Sequence, residues 1–173
     1  IRISVNIPRI ITESADLKIA MLTSCLTDIE NAVKIMINSY LNNKKILWCG
    51  NGGSAADAQH LSAEFVDRLR PKVNRRPMPI LSLALDTSHL TACSNDFSFN
   101  DVFSRSLEAF GKQTDVLLAI STSGNSKNII KVLKKAKKMN IKSIALLGYQ
   151  GGDAKKYADN SIIVKSNNTA RIQ

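Results

Sequence analysis

Aromatic side chains are scarce: five Phe, three Tyr and one Trp make up 5% of the 173 residues. Few platforms remain on which single-stranded bases could stack. Cysteine is scarcer, with only Cys25, Cys49 and Cys93 and no C-x-x-C spacing. An odd count without paired spacing excludes a zinc finger and a disulfide scaffold. Cys49 ends an apolar run and reads as a buried, reduced thiol, which fits a cytosolic compartment. No apolar run approaches the ~18 residues of a membrane-spanning helix. No basic-then-apolar leader opens the chain, so a cytoplasmic protein with no membrane partner is expected. Gly-Lys-Ser/Thr is absent, which excludes a nucleotide P-loop, and no nucleotide cofactor is expected.

What is present is ordinary for one globular domain, with 44% hydrophobic residues. Charge is lopsided: 24 Lys and Arg face 14 Asp and Glu, for a net +10. The densest stretch is Lys131, Lys134, Lys135, Lys137, Lys138 and Lys142, interrupted by Val132, Leu133 and Ala136. That spacing describes the solvent face of an amphipathic helix, attractive to small anions. A nucleic-acid partner is not expected.

The spacing predicts helices over 10–24 and 28–41, the first capped from Thr12 or Ser14, the second stopped by Asn42-Asn43. Ile46–Cys49 then reads as a buried strand, 55–69 as a helix and the Pro- and Arg-rich 70–79 as a loop. Strands follow at 80–84, 115–120, 142–147 and 161–164. Helices are expected over 89–93, 99–110 and 127–139. Repeated strand, loop, helix, strand units demand an α/β fold: a doubly wound, mostly parallel five-stranded sheet with helices on both faces. The first two helices precede the sheet and either cover it or meet a partner subunit.

Ligands of such sheets bind beyond the carboxyl ends of the strands. Two loops there carry suitable chemistry. In Gly50-Asn51-Gly52-Gly53-Ser54, glycines allow close backbone approach to an anion at a helix start. A tight strand-to-helix turn would use the same glycines. In Ser121-Thr122-Ser123-Gly124-Asn125-Ser126, four hydroxyls surround one glycine. Helix capping by Ser123 or Ser126 needs one hydroxyl, so the others point to a phosphate held by hydroxyls and amides. His60 and Glu64 stand at i and i+4 on the helix after the first loop. They suit acid–base work or a metal, or form a plain surface pair. His89 reads as structural. Asp96, after Asn95, could bind sugar hydroxyls or cap the helix near Phe99.

Cys49-Gly-Asn-Gly-Gly-Ser54, Asp57-Ala-Gln-His60, Glu64, Ser94-Asn-Asp96, Ile120-Ser-Thr-Ser-Gly-Asn-Ser126 and Thr169-Ala-Arg-Ile-Gln173 together resemble the phosphoheptose isomerases. These are single-domain members of the sugar isomerase (SIS) family, and the resemblance runs from about residue 28 onward. It implies one SIS-type domain over 1–173, with helices of 1–43 in the oligomer interface. It implies a cytosolic homotetramer with active sites between subunits. The implied reaction converts sedoheptulose 7-phosphate to D-glycero-D-manno-heptose 7-phosphate, the opening step toward nucleotide-activated heptose for lipopolysaccharide or other glycans.

By the same resemblance, Ser121, Thr122, Ser123 and Ser126 hold the phosphate. Asn51, Gly52, Gly53 and Ser54 line the substrate, Asn95 and Asp96 bind the sugar, and Gln173 touches it. Glu64 is the base, and His60 a catalytic partner. Some members carry one zinc per subunit, which here falls to His60, Glu64 and Gln173. Family members hold a further catalytic histidine shortly beyond the Gln173 position, followed by a long final helix. The whole protein is therefore expected to continue past Gln173. Two other readings share the motifs: a non-catalytic SIS adaptor for the replication initiator protein, and a sugar-phosphate sensor. Adaptors tend to lose the carboxylate that Glu64 retains, which favours the enzyme.

Overall fold

Alternation along the strands organises the molecule. A computed structural model describes residues 6–173. Its strands are β1 (Ile46–Gly50), β2 (Ile80–Ser82), β3 (Val116–Ser121), β4 (Lys142–Gly148) and β5 (Asn160–Val164). They form one sheet in the order β2-β1-β3-β4-β5, and every pairing is parallel. The helices are α1 (Ile7–Ser24), α2 (Leu26–Leu41), α3 (Gly53–Val66), α4 (Thr87–Asp96), α5 (Val102–Phe110), α6 (Lys127–Lys138) and α7 (Thr169–Ile172). Short 3₁₀ turns lie at Phe99–Asp101 and Ala154–Lys156.

Successive strand residues face opposite sides. Leu47, Cys49, Leu117, Ala119, Ala145 and Leu147 pack with residues of α4, α5 and α6. Ile46, Trp48, Val116, Leu118, Ile120 and Ile144 pack instead with Ala32 of α2 and Ala58 of α3. Two cores on one sheet are the doubly wound arrangement that the sequence pattern predicts. The lysine-rich α6 buries Ile129, Val132, Leu133 and Ala136. Its lysines remain outside, Lys135 paired with Glu108 at 2.9 Å and Lys134 over the Tyr157 ring at 4.5 Å. Cys25, Cys49 and Cys93 are free and buried, and burial pushes the Cys49 thiol far up.

Several boundaries differ from expectation. The helix expected from Ile10 begins at Ile7, and Asn6 rather than Thr12 or Ser14 caps it, its Oδ1 accepting from Arg9 N at 3.0 Å. Pro8 suits that first turn because an N–H there has no helical partner anyway. The helix after β1 starts at Gly53 and ends at Val66. Asn95 and Asp96 lie in the last turn of α4, not in a loop. Asp96 caps nothing at Phe99; Ser98 Oγ accepts there, from Asn100 N at 3.1 Å. Strand β2 stops at Ser82, and α7 is an element that no periodicity signalled.

At the sheet's other end, two aspartates stitch strand starts. Asp115, 1% exposed, accepts from Lys45 N at 2.9 Å, Lys45 Nζ at 2.7 Å and Lys112 N at 2.7 Å. Asp115→Ala strands two backbone donors, a loss of about 2–4 kcal/mol by the usual cost of buried unpaired groups; chemical denaturation measures it. Asp159 accepts from Ser143 N at 2.8 Å, Ser143 Oγ at 2.9 Å and Lys142 Nζ at 3.2 Å. Burial works to raise this carboxyl, but the Ser143 and Lys142 bonds outweigh it and leave it below the ordinary range. The folded state therefore binds its proton less readily than the unfolded chain. The resulting stability is complete above the unfolded value of about 4 and is lost as pH falls through the lower folded value. Asp159→Asn is expected to lose part of the acid sensitivity of unfolding; an acid limb as steep as that of the unaltered protein contradicts this role.

Candidate active site

Strand order reverses between β1 and β3, because β2 lies beyond one and β4 beyond the other. A crevice opens at such a point above the carboxyl ends of the two strands. The loop after β1 enters it and starts α3; the loop after β3 enters it and starts α6. Both helices thus turn their positive ends toward one place.

Two glycines in the first loop serve different ends. Gly52 has φ +55° and ψ −123°, yet nothing lies within 4 Å of where a Cβ would stand. Its backbone conformation, not space, requires glycine. Gly53 is the reverse: a side chain there would strike the Gln173 amide. Gln173, at the end of α7, thereby sits over the start of α3, with Nε2 3.5 Å from Ser54 Oγ. Asn51 turns its side chain to Asn128 in the first turn of α6. Each amide Nδ2 donates to the other's Oδ1 at 2.9 Å.

The second loop is held by main-chain straps. Gly148 N donates to Thr122 O at 3.1 Å, Ala154 N to Gly124 O at 2.8 Å, and Asp153 N to Asn125 Oδ1 at 3.0 Å. Gly124 has φ +66°, and a Cβ there would collide with the Gly151 carbonyl. Ser121 Oγ accepts from Gly124 N at 3.2 Å and donates to Ser126 Oγ at 3.3 Å; Ser123 Oγ accepts from Asn125 N at 3.1 Å. Ser126 occupies the N-cap position of α6, but its hydroxyl makes no cap bond. The capping explanation for this hydroxyl cluster therefore fails. Among the described residues, the N–H groups of Lys127 and Asn128 have no partner. Three serines, one threonine and two free amides at a helix start are the donors that a phosphate dianion needs.

His60 and Glu64 share a face of α3, with Nε2 3.6 Å from Oε1. The imidazole is 72% exposed and the carboxylate 25%. Both border a pocket of about 440 Å³ with Leu61, Phe65, Arg68 and Val73. His60 also borders a cavity of about 410 Å³ with Asp57, Thr122, Ile172 and Gln173. The fold thus gathers His60, Thr122 and Gln173 around one space. Asn95 and Asp96 are not brought to it: they stand exposed, Asn95 Nδ2 donating to Asp96 Oδ1 at 2.8 Å. Among the described residues no three His, Cys, Asp or Glu side chains cluster for a metal. His89 Nε2 lies 3.0 Å from Val102 O and 2.8 Å from Ser106 Oγ, joining α4 to α5, as its structural reading expects.

Two functional features escaped the sequence reading. The Asn51–Asn128 pair joins residues 77 apart, and no local signal marks it. Arg75 donates from Nη2 to Glu64 O at 2.8 Å and from Nη1 to Phe65 O at 2.7 Å, closing the carboxyl end of the helix that carries Glu64. A basic residue in the loop after a helix is the signal that could have found it.

Comparisons with known proteins agree with this fold. The SIS domain family profile matches residues 11–148. The chain is 49% identical over 148 residues to the phosphoheptose isomerase of Clostridium acetobutylicum, covering 86% of this chain and 74% of that one. It is 46% identical over 171 residues to the phosphoheptose isomerase of Aromatoleum aromaticum, covering 97% and 85%. The solved structure of phosphoheptose isomerase GmhA from Neisseria gonorrhoeae superposes with a TM-score of 0.88 at 38% identity, covering 95% of this chain and 87% of that one.

Replacing Gly124 tests whether the hydroxyl loop is as tightly built as its straps imply. Gly124→Ala combines left-handed strain with a backbone collision, for an expected loss of about 1–3 kcal/mol. Equilibrium unfolding reads that loss, and an unchanged stability would contradict the packing described.

Proposed function

Because the chain belongs to the SIS domain family and, within it, to the phosphoheptose isomerases, we propose that it interconverts sedoheptulose 7-phosphate and D-glycero-D-manno-heptose 7-phosphate through an enediol. The observation that carries this reading is the cavity that Thr122 of the hydroxyl loop shares with His60 of α3 and with Gln173, with Glu64 3.6 Å from His60 on the same helix. The phosphate lies among Ser121, Thr122, Ser123, Ser126 and the α6 amides. Asn51, Gly52, Gly53 and Ser54 line the sugar chain, and Gln173 closes over it. Such remote grip on the phosphate positions the reacting carbons.

Glu64 takes a proton from C1 of the ketose while O2 is protonated, giving the enediol. The proton then returns at C2, and the O1 proton leaves as the C1 carbonyl forms. One hydrogen moves between carbons, and no electrons leave the sugar. His60, 3.6 Å from Glu64, orients and balances that carboxylate.

A zinc ion fits the donors in part. Two donors on a tetrahedral zinc with bonds of about 2 Å stand roughly 3.3 Å apart, close to the His60–Glu64 separation of 3.6 Å. The Gln173 amide oxygen is a third, weaker donor. Bound there, zinc would polarise sugar oxygens as a Lewis acid.

The assembly proposed is a homotetramer in the cytoplasm, feeding nucleotide-activated heptose synthesis for surface glycans. Helix α1 has no buried residue and exposes Ile7, Ile10, Ile11, Ile19 and Leu22, while α2 exposes Leu26, Val33, Ile37 and Leu41. Those faces are the subunit contacts in this reading. Asn95 and Asp96 then serve a site shared between subunits. No described helix is long and apolar enough to cross a membrane.

Glu64→Gln tests the central role. Turnover is expected to fall about 10²–10⁴-fold, the usual worth of a positioned base, while inorganic phosphate still raises the melting temperature as in the unaltered protein. Undiminished turnover would remove Glu64 from that role.

A further inference from the structure

The loop that lines the sugar and the loop that holds the phosphate are separate pieces of chain. Among the described residues, side chains link the turn after β1 directly to the start of α6 at one point. Asn51, between Gly50 of β1 and Gly52 before α3, meets Asn128, the second residue of α6. Their two N–H···O bonds of 2.9 Å run side by side, closing an amide–amide ring. Asn128 is 2% exposed, so water does not compete for it. Its Oδ1 also accepts from Ile129 N at 2.9 Å. That third bond fixes which way the amide faces: the oxygen must turn to the backbone donor, leaving Nδ2 for Asn51 Oδ1. The Asn51 carbonyl in turn accepts from Ser54 N at 3.0 Å in the first turn of α3. A chain of bonds therefore runs from the start of one helix to the start of the other.

We propose that Asn128 is a positioning residue whose amide clasp on Asn51 sets the sugar-lining turn in register with the phosphate-holding turn, so that occupancy of one rigidifies the other. Asn51 itself acts through its loop's main chain, because its side chain is given to Asn128. A clasp of this kind is specific to the carboxamide pair: both groups must offer one donor and one acceptor in a plane, which aspartate, leucine or serine cannot do. The inference rests on the reading of residues 121–126 as the phosphate loop.

The test is amide hydrogen exchange on the full chain with and without saturating inorganic phosphate, alongside turnover of sedoheptulose 7-phosphate. In the unaltered protein, phosphate is expected to slow exchange both within 121–126 and across 52–56. In Asn128→Leu, protection within 121–126 persists while that across 52–56 is lost. Asn51→Ala, at a half-buried position, gives the same uncoupling should the leucine variant not fold. Turnover falls about 10–100-fold in kcat, the scale of a small misplacement of reacting groups, with KM changed less than about threefold. The double variant loses no more than either single one, because both remove the same pair. Protection across 52–56 that survives in either variant overturns the clasp, as do losses that multiply in the double variant. If phosphate protects nothing within 121–126 of the unaltered protein, the phosphate-loop reading itself falls and takes the coupling with it.

Discussion

The reversal of strand order between β1 and β3 is the constraint from which the rest follows. It parts the chain to either side and leaves two helix starts facing one crevice. Backbone N–H groups there are unpaired by necessity, since the first turn of a helix has no acceptors for them. Serine and threonine hydroxyls then complete a set of donors that uses no lysine side chain. The lysines that make the chain basic lie on the outer face of α6 and along other exposed surfaces, several of them matched with acids or aromatic rings. Net charge and the donor set at the crevice are thus separate features of this molecule. The first governs attraction at long range, where salt screens it, and the second is local geometry.

Holding that geometry is the work of close backbone approaches. Gly124 lies against the turn after β4, Gly53 lies beneath Gln173, and Gly148 lies beneath Ile172 and the Thr122 carbonyl. Each of these contacts brings a different strand's exit loop to the crevice. The loops after β1, β3, β4 and β5 are consequently one unit, although no two are neighbours in sequence. Below them β1 and β3 are buried along their whole length, and Asp115 anchors the opposite end of β3. A loop cluster of this kind gains its precision from the rigid strands beneath it.

The sheet was legible because a doubly wound fold writes itself as apolar runs of strand length separated by amphipathic helices. Ile46–Cys49 and the run from Asp115 to Ile120 have little else they could be. The helix ends were less legible. Pro8 and Asn6 outweigh Thr12 and Ser14 because a cap is decided by which carbonyl and side chain meet, not by which residue types are nearby. Asn95 and Asp96 continue α4 because helix propensity near a terminus is a matter of tenths of a kcal/mol. Of the site, the hydroxyl loop and the His60–Glu64 spacing could be read directly, since each is local. The Asn51–Asn128 bond could not, because Asn128 arrives from 77 residues away.

Helix α1 bears on the proposed assembly. A helix whose residues are all at least partly exposed gains little stability from its own sequence, because isolated helices near this length are marginal in water. Its isoleucines and Leu22 therefore require a surface to cover them, and no such surface exists within the described chain. Asn95 and Asp96 stand apart as well: they are polar, adjacent and hydrogen-bonded to each other, and they border neither the cavity of His60 and Gln173 nor the pocket beside Glu64. The homotetramer proposed above would answer both, with neighbouring copies covering α1 and bringing a foreign α4 end toward the crevice. In that proposal the apolar surface that drives association would also complete the sugar site, and loss of that association would remove activity before it unfolded the sheet.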